Sequence, residues 1–532
     1  MSVSKTSLEA NVVIVGAGPV GLLLAILLGR DGKTVVITEK WPDIYNRPRA
    51  VTMDAEVARI LATLGIDCDR DPAFENHKEL YYWKNAELQD LQIVDWESLA
   101  PCGWHVTYWF NQPELEARLI EMVKTMPTVT LLRGWTAVDL KQDAQRAEVT
   151  IQDTATGNET KTLGGKFVVG ADGANSFVRD QLGLKLVDKG YFFDWLILDM
   201  VPEPGYKTSP AQWQLCDPKR PTTIVPGGPG RRRWEFMVLP TEDKNEIAKR
   251  ESAWRLLEPW SLTPDNAQLE RSAVYRFQAR WTEHWVSGRC MIAGDAAHLM
   301  PPFAGEGMCA GLRDAVALGW RLSAILDGTL SPDVLQSYES ERIAHAKHYI
   351  QFSQDLGDII CIADPDKAAE RDARMMADLA ARNHEPITGD LVKLGPGVWC
   401  DDTKGAGELS PQGIVRFDGQ SDRFDQVVGQ DWMVIAVDRP KEGLLSAAQI
   451  DALTRLGGRL LSIGPDGSGY DVISEDSAYS YWMAEVDANY VILRPDFYVA
   501  ATAKTPEQLS DCFDTLIARL GLRTDAMLTT PA

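Results

Sequence analysis

Apolar residues near the start of the chain fall in short runs on either side of a helical stretch. Residues 12–15 are an unbroken β-branched run, which predicts a strand buried on both faces of a parallel sheet. Residues 20–30 have the length and composition of a helix, and residues 34–38 form a second β-branched run. Together they predict a βαβ unit with a glycine-rich turn after its first strand.

The alternation of strands and helices continues to about residue 356 and is interrupted once. Between residues 190 and 280 the chain is rich in aromatic residues and in proline and glycine turns, which predicts a β-rich insertion. Around the insertion the pattern predicts a helix at 113–125, a hairpin within 135–165, strands at 167–172 and 289–294, and helices at 305–326 and 331–356.

The last third of the chain has a different pattern. Residues 364–404 lack a strong period, which predicts a connecting region. Strand patterns then resume before a final helix, which indicates a separate α/β domain. The predicted elements of that domain are strands at 432–437, 459–463, 490–493 and 497–501, and a helix at 506–520.

Composition narrows the class of protein. With 532 residues, of which 45% are hydrophobic and 24% charged, the chain is long enough for several domains and typical of folded proteins. A formal net charge of −22 disfavours nucleic acid and anionic membrane surfaces as partners. The apolar stretch at 12–29 is broken by glycine and proline, so we predict no membrane segment.

The cysteines also argue against some classes of site. There are 8 of them, scattered along the chain with no C-x-x-C pair. This spacing disfavours a zinc site and a secreted disulfide framework. We therefore predict no metal site, and a cytoplasmic location with reduced thiols.

The turn after the first predicted strand contains a G-x-G-x-x-G motif, formed by Gly16, Gly18 and Gly21. Glycines at these positions permit a tight turn and the close approach of a pyrophosphate, and the following helix N-terminus favours negative charge. Glu39, at the end of the next strand, can accept hydrogen bonds from ribose hydroxyls. The pattern predicts a site for FAD or NAD and does not choose between them.

The choice between these cofactors comes from three further motifs. Residues 46–50 (NRPRA), 170–176 (GADGANS) and 294–308 (GDAAHLMPPFAGEGM) follow one another along the chain. In this order and spacing the sequence resembles the class A FAD-dependent aromatic hydroxylases, which are flavoprotein monooxygenases, over about residues 10–350. Within that family it is most similar to the 3-(3-hydroxyphenyl)propionate hydroxylase type, through residues 216–221 and 232–237.

The resemblance implies an α/β fold in three parts. A Rossmann-like FAD-binding domain would comprise residues 1–189 and 281–385, and a β-rich substrate domain residues 190–280. Residues 386–532 resemble the thioredoxin-like C-terminal domain of some larger hydroxylases. Because this region has no C-x-x-C motif, we expect it to serve packing or dimerisation and not dithiol exchange.

The resemblance also implies which residues hold the cofactor. Asp295 would accept hydrogen bonds from the ribityl chain, Arg49 would hold the diphosphate, and the turn at Pro302 would lie against the flavin ring. Arg47 could hold the same diphosphate or pair with a surface carboxylate, and Asp172 could instead be a turn residue that caps its own backbone. The implied FAD-binding residues are Gly16, Gly18, Gly21, Glu39, Arg47, Arg49, Gln112, Asp172, Asp295, Pro302, Gly305, Gly307 and Met308.

The sequence departs from the family pattern beside the expected flavin ring. Where relatives often have Gly-Gln-Gly-Met-Asn, this chain has Glu306 and Cys309, and Ala317 stands where an asparagine is frequent. An ionised Glu306 would oppose the negative charge of a reduced flavin. We therefore expect either that its pKa is raised or that its side chain turns away.

A substrate pocket for an aromatic ring needs apolar walls and a few polar groups. His105 and Tyr191 are the candidate substrate-facing residues, and with Pro302 and Asp172 they make up the predicted catalytic set. Ordinary packing is the alternative for each aromatic residue. Further candidates for the pocket wall are Tyr108, Trp195, Trp213 and Gln214.

The implied function is hydroxylation of a phenol. NADH or NADPH would reduce the FAD, dioxygen would add at flavin C4a, and the hydroperoxide would oxygenate the ring. Epoxidation, Baeyer–Villiger oxidation and a non-catalytic FAD-binding role stay open as alternatives. The expected partners are a small phenolic substrate and O2, in a protein that could form a homodimer.

Overall fold

The computed structural model describes residues 6–45, 49–76, 79–206, 210–389, 392–467 and 469–522. Its strands in chain order are β1 (Thr6–Val15), β2 (Val35–Glu39), β3 (Thr52–Asp54), β4 (Phe74–Glu75), β5 (Tyr81–Lys84), β6 (Asp90–Val94), β7 (Thr107–Phe110), β8 (Val129–Arg133), β9 (Trp135–Gln142), β10 (Ala147–Asp153), β11 (Thr160–Gly170), β12 (Leu186–Pro202), β13 (Trp213–Leu215), β14 (Thr222–Pro226), β15 (Arg232–Met237), β16 (Ala267–Thr282), β17 (Val286–Ser287), β18 (Cys290–Ile292), β19 (His298–Leu299), β20 (Ile414–Phe417), β21 (Gln420–Arg423), β22 (Met433–Val437), β23 (Arg459–Gly464), β24 (Val472–Ser474), β25 (Tyr490–Leu493) and β26 (Val499–Ala503).

The helices are α1 (Pro19–Arg30), α2 (Ala55–Thr63), α3 (Gln112–Thr125), α4 (Phe177–Gln181), α5 (Lys244–Ile247), α6 (Arg250–Leu257), α7 (Gly307–Leu326), α8 (Leu335–Ile360), α9 (Pro365–Ala381), α10 (Phe424–Val427), α11 (Ala447–Arg455), α12 (Ala478–Glu485) and α13 (Pro506–Leu520).

β1 lies inside the first sheet and pairs in parallel with β2 on one side and β11 on the other. The strand order is β17-β18-β11-β1-β2-β8, with β10 and β9 attached to β11 as an antiparallel hairpin. Val12, Val13 and Ile14 are fully buried, as expected for a strand covered on both faces. The predicted βαβ unit is therefore confirmed.

The second sheet contains the β-rich insertion and has the order β19-β16-β12-β15-β14-β13-β5-β6. Two of its strands, β5 and β6, come from residues 81–94, outside the range that the sequence predicted. The long strands β12 and β16 are antiparallel neighbours. Side chains alternate between the two faces, so Trp195 and Ile197 join one apolar cluster and Leu196 and Leu198 join another.

The third sheet, at the C-terminal end, has the order β21-β20-β24-β23-β22-β25-β26. Its centre is parallel, because β23 pairs in parallel with both β22 and β24. Helices α11 and α13 pack on one face, and α10 and α12 pack on the other. This is a mixed α/β unit, as predicted.

The connecting region predicted at 364–404 is wrong in its first half, where the structure has helix α9. Asp364 caps this helix by accepting hydrogen bonds from the amides of Asp366 and Lys367, and Pro365 occupies the first turn. The buried stripe is narrow and includes a charged residue, Arg371, whose guanidinium donates to the carbonyl of Cys216. Because an arginine interrupts the buried stripe, the apolar residues alone do not show a clear helical period in the sequence, and the helix was not predicted.

The C-terminal domain is joined to the rest of the chain through buried charges. The fully buried carboxylate of Glu341, on α8, accepts hydrogen bonds from Arg321 of α7 at 2.6 Å and from Arg494 at 2.7 and 2.8 Å. It also accepts from the amide of Val398 at 2.7 Å. Burial alone would raise the pKa of Glu341, but Arg321 and Arg494 hold it below the ordinary value. Glu341 therefore links three parts of the structure.

We expect Glu341→Ala to destabilise the protein by about 3–5 kcal/mol, since it leaves two buried arginines without their shared carboxylate. The measurement is urea unfolding followed by tryptophan fluorescence. Asp487→Ala is the control, because Asp487 forms an exposed ion pair with Lys504 and its removal should leave the unfolding midpoint unchanged. Equal midpoints for both variants would show that the buried network does not hold the domain.

Candidate functional site

The glycine-rich turn brings the end of β1, the start of α1 and the end of β11 into close contact. A Cβ atom on Gly16, which has φ +106°, would lie 2.2 Å from the carbonyl oxygen of Ala171. A Cβ on Gly21 would lie 2.0 Å from the carbonyl oxygen of Gly16. At Gly18 a Cβ would meet nothing within 4 Å. The first two glycines are required by the packing of the protein, whereas Gly18 borders open space at the helix N-terminus.

Glu39 lies beside this turn, as the sequence predicted. One carboxylate oxygen accepts a hydrogen bond from the amide of Ala17 and the other from the amide of Trp41, both at 3.0 Å. These bonds fix the carboxylate at the carboxyl end of β2. Each oxygen keeps a further lone pair, which could accept a hydrogen bond from a ribose hydroxyl.

Arg49 lies near Asp295, and Gln112 binds the backbone of the residue that follows Arg49. Gln112 accepts a hydrogen bond from the amide of Ala50 at 2.8 Å and donates to Glu116 at 2.7 Å. The side chain of Asp295 is exposed and accepts no hydrogen bond from the described residues. The surrounding protein nevertheless raises the pKa of Asp295 by desolvation, against the opposing charges of His298 and Arg49. An unpartnered carboxylate in such surroundings fits a ligand with hydroxyl groups.

The turn that precedes α7 forms a further wall. Pro302–Ala304 make a 3-10 turn, Gly305 has φ +73°, and residues 302–308 are partly open to solvent. Helix α7 begins at Gly307, and no side chain caps its N-terminus. The free amides of a 20-residue helix favour negative charge on a ligand that binds at this end.

The two expectations for Glu306 both hold. Its side chain turns toward Arg313, whose guanidinium lies 2.9 Å from the Glu306 carboxylate and also pairs with Glu56 at 2.6 Å and with Asp54. Burial and the neighbouring Asp54 carboxyl raise the pKa of Glu306 to about 8. Asp54, Glu306 and Cys309 lie near enough to bind a metal ion, but Arg313 already provides the positive charge there.

Asp172 lies beside the glycine turn and has the structural role that the sequence offered as its alternative. Its carboxylate accepts hydrogen bonds from the Ser176 hydroxyl and, at 3.0 Å, from the amide of Val178. It thus fixes the start of α4, while burial raises its pKa. A role toward FAD and nicotinamide stays a prediction.

One face of the second sheet forms an aromatic chamber next to the 302–304 turn. The rings of Trp195, Phe277 and Phe303 lie 5.6 to 6.1 Å from one another. Farther along, Tyr81 and Trp96 stack at 4.0 Å. We call this group of side chains the aromatic chamber; it also includes Val51, Trp83, Trp109, Ile197, Val225, Met237 and Tyr275.

The two candidate substrate residues lie in different places. Tyr191 is at the edge of the chamber, where its phenol donates to the carbonyl of Gln354 at 3.2 Å and its ring packs on Phe193. His105 contacts Tyr108 and the carbonyl of Glu97, in a segment that faces the C-terminal domain. The structure thus places Tyr191 near the turn of Pro302 and does not bring His105 there. Arg47 lies outside the described residues.

Sequence reasoning missed a group of buried charges on the chamber face. Arg233 pairs with Asp199 at 2.7 Å, Arg271 lies 3.4 Å from Asp199, and Glu235 lies 3.7 Å from Arg233. Arg233 also donates to the carbonyl of Arg49 at 2.8 Å, which connects the group to the expected cofactor site. The sequence feature that could have revealed this group is the presence of charged residues at inward-facing positions of strands whose other inward-facing residues are apolar.

Family models match most of the chain. Residues 9–353 match a family described as FAD binding domain, and residues 407–519 match the HcaD C-terminal domain. The chain is 34% identical over 513 residues to a probable NADH-specific resorcinol 4-hydroxylase of Rhodococcus jostii (strain RHA1), covering 96% of this chain and 94% of the relative. It is 33% identical over 522 residues to 3-(3-hydroxy-phenyl)propionate/3-hydroxycinnamic acid hydroxylase 2 of Burkholderia vietnamiensis (strain G4 / LMG 22486), covering 93% of each.

Solved structures share the fold at lower identity. The flavin-dependent monooxygenase PieE, solved with FAD and substrate, has a TM-score of 0.78 at 20% identity and covers 96% of this chain and 99% of its own. Aklavinone-11 hydroxylase, solved with FAD and aklavinone, has a TM-score of 0.73 at 21% identity with the same coverage. None of the helices described here has the length and apolar character needed to span a bilayer.

The raised pKa of Glu306 predicts a pH-dependent stability. Glu306 keeps its proton in the folded state up to about pH 8, whereas the unfolded chain loses it near the ordinary value of about 4.5. The native state therefore binds the extra proton between these values, and wild-type stability falls as pH rises through this window. Glu306→Gln should remove this loss.

The measurement is the thermal unfolding midpoint of both proteins from pH 5 to 9. The midpoint of Glu306→Gln relative to wild type should rise steadily up to about pH 8 and then level off. Glu159→Gln, which changes an exposed carboxylate, is the matched control. A difference between Glu306→Gln and wild type that stays constant across this range would contradict the assignment.

Proposed function

The chain belongs to the FAD-dependent aromatic hydroxylases, and from this premise we propose that it hydroxylates a small phenol with NADH or NADPH and O2. The observation that carries the proposal is the aromatic chamber beside the turn of Pro302, where an apolar ring would lie next to the expected cofactor. The named relatives act on resorcinol and on hydroxyphenylpropionate, which are both phenols.

The residues present fit FAD. The open space at Gly18 and the N-terminus of α1 would receive the diphosphate, and Glu39 would accept from the adenosine ribose. Asp295, whose carboxylate has no protein partner among the described residues, would accept from the ribityl hydroxyls. Arg49 and Gln112 border the same opening. When bound, FAD supplies the hydride acceptor and the means of activating dioxygen.

The protein's own contribution is to exclude water and to orient the ring. The walls of the aromatic chamber are mostly buried apolar side chains, which favour an aromatic ring over water. The N-terminus of α7 and the protonated Glu306 together tolerate added negative charge beside Gly307. This arrangement suits an oxygen transfer better than it suits simple FAD storage.

We propose that the C-terminal domain is thioredoxin-like and that its role is structural. Cys400 is buried, its thiol donates to the carbonyl of Cys512 at 3.6 Å, and this part of the sequence has no C-x-x-C motif. We also propose that the domain boundaries lie at residues 189, 280 and 385. We further propose that the protein forms a homodimer and is located in the cytoplasm.

The test of the proposed function is NADH and NADPH oxidation by the FAD-loaded protein. Resorcinol or 3-(3-hydroxyphenyl)propionate should stimulate oxidation strongly and yield a product heavier by one oxygen atom in mass spectrometry. Benzoate, which has no hydroxyl group, is the control and should not be hydroxylated. Oxidation that no phenol stimulates, with FAD bound, would refute the hydroxylase.

Gly18→Ala tests the proposed position of the diphosphate. The new methyl group meets no protein atom within 4 Å, and the extended backbone at this residue accepts alanine, so the fold should be retained. We expect FAD affinity to fall about tenfold or more, a loss of about 1.4 kcal/mol per factor of ten. Affinity is measured by flavin fluorescence quenching on titration of the apoprotein.

Gly389→Ala provides the control, because its Cβ also meets no atom within 4 Å but lies on an exposed segment remote from the turn. FAD affinity equal to wild type in Gly18→Ala would place the diphosphate elsewhere.

A further inference from the structure

Glu235 occupies the middle of the sheet face that forms the aromatic chamber. It lies on β15, where it pairs in register with Ile197 of β12 and with Thr223 of β14. Residues paired across antiparallel strands project from the same face of the sheet. Glu235 therefore shares a face with Trp195 and Met237, which are chamber walls, and its side chain is only 14% exposed.

The charged residues beside Glu235 are already paired with one another. Arg233 is held by both oxygens of Asp199, at 2.7 and 3.2 Å, and by the carbonyl of Arg49. Arg271 lies against the same carboxylate of Asp199. Glu235 is left with Arg233 at 3.7 Å, beyond hydrogen-bond distance, and its carboxylate accepts no hydrogen bond from the described residues.

The uncharged polar groups on the other side of Glu235 are paired as well. The hydroxyl of Thr223 donates to the side-chain oxygen of Gln214 at 2.7 Å, and the phenol of Tyr81 donates to the same oxygen at 3.3 Å. The amide group of Gln214 donates to the carbonyl of Thr222 at 3.3 Å. These residues offer Glu235 no donor.

A carboxylate that is largely buried and accepts no hydrogen bond from the protein is costly, so a donor supplied by a ligand would stabilise it. Trp195, on the same face as Glu235, packs on Phe303 of the turn, and Arg233, which pairs with Glu235, donates to the carbonyl of Arg49. Glu235 is therefore close to residues that are expected to border the cofactor. Burial also raises the pKa of Glu235, which strengthens its carboxylate as an acceptor.

We propose that Glu235 is a substrate-binding residue that accepts a hydrogen bond from the hydroxyl group of the phenolic substrate. This inference rests on the proposed function. The hydrogen bond fixes the orientation of the ring within the chamber, and with it the ring carbon that faces the cofactor. It also gives the site a preference for phenols over aromatic rings of similar size that lack a hydroxyl donor.

The test compares resorcinol with its dimethyl ether, 1,3-dimethoxybenzene, which keeps the ring and the oxygens but has no donor. Dissociation constants are measured in the FAD-loaded protein from the change in the flavin absorption spectrum. Wild type should bind resorcinol about tenfold or more tightly than the ether. In Glu235→Leu, which removes the acceptor, this ratio should fall toward one, with unchanged FAD content.

Two variants give matched comparisons. Glu235→Asp keeps a carboxylate on a shorter side chain and should retain part of the preference. Glu246→Gln changes an exposed carboxylate on α5 and should behave as wild type.

The outcomes separate this proposal from the proposed function. If wild type binds and hydroxylates resorcinol but Glu235→Leu keeps the wild-type ratio, Glu235 does not bind the hydroxyl group. The same conclusion follows if Glu235→Leu loses affinity for both ligands equally. If wild type itself neither binds nor hydroxylates any phenol, the proposed function fails and this inference fails with it.

Discussion

The structure depends on the buried charges of helix α7. Arg313 meets Asp54, Glu56 and Glu306, while Asp314 meets His298 and Arg342. About two turns further along the helix, Arg321 reaches Glu341 of α8. Removing a charge from water costs several kcal/mol, and only correctly placed partners offset this cost. The position of α7 is therefore fixed by its partners, and the N-terminus of the same helix forms one wall of the site.

The C-terminal domain completes this network. Arg494 shares Glu341 with Arg321, Trp320 donates to Asp496 at 2.8 Å, and Tyr498 lies 3.3 Å from Glu56. A second buried link joins Arg59 of α2 to Asp425 and to the carbonyl of Ser410. Without the domain these charges would be exposed at an unpaired surface. The domain thus contacts α2 and α7, the elements that position the candidate site, which supports the proposed role in packing.

Features that depend on neighbouring residues in the chain could be predicted from the sequence. The βαβ unit follows from local periodicity, and the roles of Gly16 and Gly21 follow from the sterics of one turn. His105 is a candidate in the sequence because a substrate pocket needs polar groups among apolar walls, but its segment faces the C-terminal domain. The chamber charges could not be predicted, because Asp199, Arg233 and Arg271 meet only through the register of β12, β15 and β16. Helix α9 was missed because its buried stripe contains Arg371.

The dependence on residues from other elements also explains why the sequence left two possibilities for Glu306, a raised pKa or a side chain that turns away. Its position in the sequence places a carboxylate at a helix N-terminus where a reduced flavin would add negative charge, which by itself is unfavourable. The answer lies in residues from β3, α2 and α7: Arg313 takes up one charge, and crowding with Asp54 keeps the proton on Glu306. The carboxyl group is then neutral at pH 7 and presents no repulsion. The unfavourable charge that the sequence places at Glu306 is thus compensated by Asp54, which is remote in sequence, and by Arg313, about two turns along the same helix. The electrostatic character expected of the site is preserved.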